Sequence, residues 1–172
     1  MFKSAAFFEK ESCPKRNWKS CAKEKMEILI GSDHAGYKLK EELKRYLESS
    51  GYELEDYGTN SEQKVDYPKF GYVVANNVAK SGNKGILICG SGIGMSIVAN
   101  KVKGVRAAAC HDEYTAKVAR EHNDANVLCL GARVLKEGEA KKIAKVFLET
   151  SFSKEERHKR RVDEIKNLEK KC

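Results

Sequence analysis

Gly85-Ile86-Leu87-Ile88-Cys89-Gly90-Ser91-Gly92-Ile93-Gly94-Met95-Ser96 is an apolar run that ends in a cysteine and breaks at once into a glycine-rich turn. The run from Ile86 to Cys89 is short and wholly apolar, as in a parallel strand buried on both faces, and Ile97-Val98-Ala99 downstream suits a helix. The stretch therefore reads as strand, loop, helix. Glycines at 90, 92 and 94 leave the loop backbone unobstructed, so successive N–H groups can turn toward an anion at the helix start, where orphan donors and the macrodipole favour negative charge. Cys89 and Ser91 sit at the lip of that cradle. A cysteine at the carboxyl end of a buried parallel strand lies where open α/β sheets bind ligands, and a helix N-terminus favours the thiolate form. Cys89 is thus a candidate base or nucleophile, against the plainer alternative of a small core hydrophobe.

The glycine pattern excludes two familiar ligands. It lacks the Lys-Ser/Thr ending of a P-loop, and Ile97 stands where a dinucleotide-binding fingerprint needs its third glycine. Length and composition fit one soluble α/β domain: 172 residues, 41% apolar and 34% charged, with no membrane-length apolar run and no secretory signal. Six cysteines without a Cys-x-x-Cys pair argue for reduced thiols in the cytoplasm and against a zinc site or disulfide framework. The net charge of +8 resides mainly at the two ends, since residues 1 to 25 hold seven Lys/Arg against three Glu and residues 154 to 172 hold eight against five acids. The nearly neutral middle gives no broad basic face for nucleic acid.

Residues 1 to 25 have no periodicity and read as an appendage to a domain over 26 to 172. Their acids, Glu9, Glu11 and Glu24, count against an organelle-targeting segment. Met26 to Gly31 is the first strand, ending in Gly31-Ser32-Asp33-His34-Ala35-Gly36, and Leu39, Leu43 and Leu47 mark an amphipathic helix after it. Asp33 at that place is either a helix N-cap or a site residue. Tyr52 to Tyr57 is a weak peripheral strand. Tyr67 follows in Asp66-Tyr67-Pro68, where a helix begins, and is a candidate to face the substrate, against the plainer alternative of packing at the helix entry. Val105 to Cys110 and Asn126 to Gly131 are two further strands, the second ending beside Arg133, with a helix between them that closes at Glu121-His122-Asn123-Asp124. Helices over 139 to 150 and 155 to 170 complete the chain, the last with an apolar stripe of Val162, Ile165 and Leu168 and with Arg157 and Arg161 on another face. Strands alternating with helices through short connections predict a doubly wound three-layer α/β/α sandwich around a five-stranded parallel sheet. A five-stranded core offers no obvious room for the C-terminal helix, which is expected to pack on a partner subunit.

The motifs resemble those of the type B ribose 5-phosphate isomerases, a family that also includes the galactose 6-phosphate isomerase subunits. The resemblance spans Met26 to about Leu168 and is carried by Gly31-Ser32-Asp33-His34-Ala35-Gly36, Asp66-Tyr67-Pro68, Ile88-Cys89-Gly90-Ser91-Gly92-Ile93-Gly94, Arg120-Glu121-His122-Asn123-Asp124-Ala125-Asn126, Gly131-Ala132-Arg133 and Arg157-His158. It implies a Rossmann-like fold and an aldose–ketose isomerase that needs neither metal nor other cofactor. Cys89 would be the base, with Ser91 and the backbone of Gly90, Gly92, Ile93 and Gly94 stabilising the cis-enediolate. His122 would open the sugar ring, and Asp33 and Asn123 would position hydroxyls. His34, Arg133, Arg157 and Arg161 would grip the phosphate. The resemblance also implies a homodimer with sites at the subunit interface, leaving open a pairing of dimers into a tetramer. No nucleic-acid or membrane partner is expected. The chain departs from the family pattern in residues 1 to 25 and in Glu155-Glu156, where that pattern carries glycines.

Three other readings compete. A hexose phosphate isomerase of the same family, for galactose 6-phosphate or allose 6-phosphate, would differ in pocket depth. A basic nucleotide- or nucleic-acid-binding module would bind in a strongly salt-dependent way without needing Cys89. A redox thiol protein would need a resolving cysteine, and none stands near Cys89 in sequence.

Overall fold

The computed structural model describes residues 27–171, so the appendage expected over residues 1 to 25 lies outside the described part. Five strands, β1 (Glu27–Ser32), β2 (Glu53–Asp56), β3 (Lys84–Cys89), β4 (Ala107–Ala109) and β5 (Val127–Gly131), form one parallel sheet in the order β2-β1-β3-β5-β4. Six helices alternate with and follow them: α1 (Tyr37–Ser49), α2 (Tyr67–Ser81), α3 (Ile93–Ala99), α4 (Glu113–Asn123), α5 (Glu137–Glu149) and α6 (Glu156–Leu168).

The three central strands are apolar through their middles because their alternate side chains enter two different cores. Ile28, Ile30, Ile86, Ile88, Leu128 and Leu130 meet Leu43, Leu47, Ile143 and Phe147 on the face covered by α1, α4 and α5. Leu29, Leu87, Cys89, Val127 and Cys129 meet Val74, Val78 and Met95 on the face covered by α2 and α3. Leu43 and Leu47 are fully buried, each contributing about 1.5–3 kcal/mol relative to exposure.

Two expectations need adjustment. The strand expected over Val105 to Cys110 pairs only from Ala107 to Ala109, although Val105 and Cys110 flank it as buried residues. The tail helix does find room on its own chain, lying against α4 through buried His158 and Val162, while Ile165 and Leu168 stay exposed.

Strand order reverses between β1 and β3: the chain steps outward from β1 to β2, then crosses back to the other side. At such a reversal the loops leaving the two neighbouring strands lead to helices on opposite faces and open a crevice between them. The loop after β1 leads to α1 and the loop after β3 to α3, so the crevice is walled by Asp33 and His34 on one side and Cys89 to Gly94 on the other.

Candidate active site

At the carboxyl edge of the sheet, Cys89 is 5% exposed and its Sγ accepts the Gly92 N–H at 3.2 Å. Gly92 has φ +81°, a left-handed conformation that glycine adopts without strain, and this turns the chain from strand into α3. Ser91 Oγ accepts the Ile93 N–H at 3.3 Å, and the Ser91 and Gly94 N–H groups have no acceptor among the described residues. The Tyr67 ring lies over Gly94, where a Cβ would come 2.8 Å from the ring. Arg133 crosses above Gly90, its N–H donating to Gly90 O at 3.0 Å and its exposed guanidinium stem lying beside the glycine.

The opposite wall is fixed by short-range bonds. Asp33 does not cap α1, which starts after Gly36; instead its Oδ1 accepts the Ala35 and Gly36 N–H groups, each at 3.0 Å, in a tight turn. Its Oδ2 has no partner among the described residues. The Asp33 N–H donates to Ile88 O at 3.3 Å, which binds this turn to the end of β3. His34 Nδ1 lies 3.2 Å from both the N–H and the carbonyl of Val65, so the ring is held against the loop that leads to Tyr67. Asp33, His34, Tyr67, Cys89, the Gly90 to Gly94 loop and Arg133 are thus brought together.

His122, Asn123, Arg157 and Arg161 are not with them. In a parallel sheet each connecting helix runs back against the strands, so the last turn of α4 lies at the amino edge. Arg106, just before β4, donates to the carbonyls of Asn123 and Asp124 at 3.0 Å, and Asn126 O accepts the N–H of Gly85 near the start of β3. The register Gly85 to Val127 and Cys89 to Gly131 then puts about 13 Å of strand between the two groups at about 3.3 Å per residue. His122 itself is exposed, and its ring centroid stands 4.2 Å from that of buried His158, with 53° between the planes. Arg157 pairs with Glu155 at 2.8 Å, and Arg161 has no ion-pair partner among the described residues.

The arrangement offers a sulfur with a nearby cradle of backbone donors, an aspartate and a histidine facing it, and a cation above, a combination suited to moving a proton beside a developing oxyanion. Among the described residues no group of three or more His, Cys, Asp and Glu side chains is placed to hold a metal ion, and no helix is long and apolar enough to cross a membrane.

The sequence profile of the family described as Ribose/Galactose Isomerase matches residues 28–165. The chain belongs to that family. Escherichia coli ribose-5-phosphate isomerase B is 43% identical over 143 residues, covering 83% of this chain and 95% of the relative. The structure of Clostridium thermocellum ribose-5-phosphate isomerase B superposes with a TM-score of 0.82 at 49% identity, covering 85% of this chain and 99% of the other. The Mycoplasma genitalium ribose-5-phosphate isomerase B, solved with bound ribulose-5-phosphate, gives a TM-score of 0.82 at 43% identity over 86% of this chain and 98% of that one.

Within the ribose/galactose isomerase frame, three supporting contacts could not be read from the sequence. Val65 holds His34 through its backbone, which any residue type could supply. Gly131 passes so close to Ser91 that a Cβ would stand 2.8 Å from its carbonyl, a contact between a strand end and a loop 40 residues apart in the chain. His158 stood in a quoted motif, but only the packing of α6 on α4 reveals that it touches His122.

Proposed function

We propose that this chain interconverts D-ribose 5-phosphate and D-ribulose 5-phosphate by proton transfer through a cis-enediolate, with Cys89 as the base and no cofactor. Cys89 takes the proton from C2 of the open-chain aldose; O1 gains a proton as O2 loses one; the proton held on sulfur returns at C1. The Ser91 and Gly94 amides and the Ser91 hydroxyl receive the negative charge that builds on oxygen. Asp33 orients a sugar hydroxyl through its unpartnered Oδ2, and His34 and Arg133 meet the phosphate, the arginine by paired hydrogen bonds. His122 exchanges a proton with the ring oxygen so that the cyclic sugar opens.

The observation that carries this reading is the Cys89 cradle at the β1/β3 crevice, in a chain whose family match spans nearly the whole described domain. The working unit is a homodimer in the cytoplasm, in which one subunit supplies the carboxyl-edge group and its partner supplies His122, Asn123, Arg157 and Arg161. The separation of those two groups within a chain supports the shared site. So does a groove of about 920 Å³ along the free edge of β4, lined by Val102, Ala108, Val118, Asn123, Ile165 and Leu168, which takes in one of that second group and leaves apolar surface for a second copy to cover.

The test is isomerisation of ribose 5-phosphate in chelator beside allose 6-phosphate and galactose 6-phosphate, with Cys89→Ala as control. Pentose turnover that falls about 10²–10⁴-fold in the variant, with inorganic phosphate still inhibiting the residual reaction, is the expected result. Turnover confined to a hexose phosphate would keep the chemistry and change the substrate, and full turnover by Cys89→Ala would remove the base.

A further inference from the structure

His158 is 2% exposed, one of only two buried residues of α6, and the other, Val162, is apolar. Its Nδ1 is 3.0 Å from Ser153 Oγ, and that hydroxyl also accepts the Glu155 N–H at 3.4 Å. The Ser153 hydroxyl can accept the Glu155 N–H and still share a hydrogen bond with Nδ1, and that bond ties the imidazole to the segment before α6 whichever of the two donates. The segment is bound to α4 as well, since the Ser153 N–H donates to Glu121 O at 3.1 Å, one residue before His122. The result is a tilted ring pair, centroids 4.2 Å apart, between an exposed histidine and a buried one.

A leucine would anchor α6 on α4 without the desolvation of a polar ring. Imidazole here does something leucine does not: it presents a flat wall to His122, held in one orientation by Ser153, directly beside Arg157. We propose that His158 is a positioning residue that holds the His122 ring, together with the start of α6, in the attitude that ring opening requires. The inference rests on the assignment of ring opening to His122, and its test separates the two.

Ribose 5-phosphate is mostly cyclic and must open before its proton can move. Ribulose 5-phosphate, whose C5 oxygen is phosphorylated, cannot close into a furanose, so exchange of its C1 hydrogen with solvent deuterium reports Cys89 chemistry without ring opening. Both reactions are measured by NMR on the full chain for His122→Ala, His158→Ala and His158→Phe. The expected result is loss of ribose 5-phosphate turnover by about 10-fold or more in the two alanine variants, in keeping with the cost of misplacing a catalytic group, while exchange stays within about 2-fold of wild type. His158→Phe, which keeps a ring against His122, recovers part of the turnover.

Equal loss of turnover and exchange in His158→Ala would mean that the residue serves only the fold or the phosphate arm, and no loss of either would mean that it serves neither; both overturn the inference. Failure of His158→Phe to recover any turnover overturns it too. Should His158→Ala not fold, His158→Asn, which keeps a hydrogen-bonding group for Ser153 but no ring, carries the same comparison. If His122→Ala itself loses both reactions in step, the ring-opening assignment falls and this inference with it; if His122→Ala separates them and His158→Ala does not, only the inference falls.

Discussion

Cys89 ends β3 at the carboxyl edge of the sheet and His122 lies in the last turn of α4 at the amino edge, so the two groups that the proposed chemistry would bring into one site face opposite ends of the same domain. Folding one chain differently cannot reconcile them, because both positions are fixed by strand register. A second copy can. Cys89→Ala and His122→Ala enzymes, each nearly inactive, are then expected to complement. Co-refolding equal amounts gives half the dimers mixed, and each mixed dimer has one site with both residues intact, so about a quarter of wild-type turnover returns. Turnover no greater than the sum of the two variants would show that each site is built from a single chain.

The loop that forms the cradle depends on a glycine in a different strand. An alanine at Gly131 would set its Cβ 2.8 Å from the Ser91 carbonyl carbon and oxygen, and backbone cannot rotate away as a side-chain tip would. Gly131→Ala is expected to lower stability by about 1–3 kcal/mol and to cut turnover at least 10-fold by displacing Ser91. The control is Gly138→Ala in α5, where a Cβ meets nothing within 4 Å and an alanine favours the helix. Thermal melting and kcat of the two variants decide it; a Gly131→Ala enzyme matching Gly138→Ala would show that the loop tolerates the shift.

The sheet was legible in the sequence because burial on both faces writes continuous apolar runs, as in Ile28-Leu29-Ile30 and Val127-Leu128-Cys129-Leu130. The short edge strand β4 was overextended for the same reason: Val105 and Cys110 are buried on either side of the paired Ala107–Ala109, Cys110 keeping only its N–H bond to Cys129 O, and hydrophobicity reports burial alone. Helix periodicity placed α1, yet Asp33 at its approach satisfies a turn rather than the helix end, a choice set by the backbone and invisible in residue types. For the site, residues on the strand-end loops could be grouped from topology. The second group could not be placed against them by sequence, since the run-back of α4 separates residues that the resemblance unites. The ion pair of Glu155 with Arg157 was foreshadowed only as a departure from the family pattern.

Lys84 supplies a pH test of the fold. Its Nζ donates to Leu148 O at 2.6 Å, and burial, reinforced by the Arg120 charge and opposed by Asp124, pushes the ammonium down to about 8 from its ordinary 10.5. Below pH 8 the group is charged in folded and unfolded chains alike, and the penalty of burying it stands in full. Between 8 and 10.5 the unfolded chain holds a proton that the folded chain has released, so this group's contribution to stability rises with pH. The stability of wild type relative to Lys84→Gln is expected to improve as denaturant midpoints are followed from pH 7.5 to about 10. A difference that stays flat or falls across that window would sink the assignment.

Glu155 bears on substrate affinity. Its carboxylate holds Arg157 Nε at 2.8 Å, with the two side chains 54% and 61% exposed, so the arginine proposed for the phosphate is already paired within the chain. Binding a phosphate must displace that carboxylate or bring a second negative charge beside it. Exposed pairs of this kind are worth about 0.2–1 kcal/mol, which limits the penalty to a few-fold in affinity. Glu155→Gln is therefore expected to tighten inhibition by inorganic phosphate about 2- to 5-fold at low ionic strength, with the gain shrinking in added salt. Arg157→Ala made in the Glu155→Gln background should abolish the gain, because the carboxylate acts through that guanidinium. Unchanged or weaker inhibition in Glu155→Gln would mean that the ion pair helps to aim Arg157 rather than competing for it.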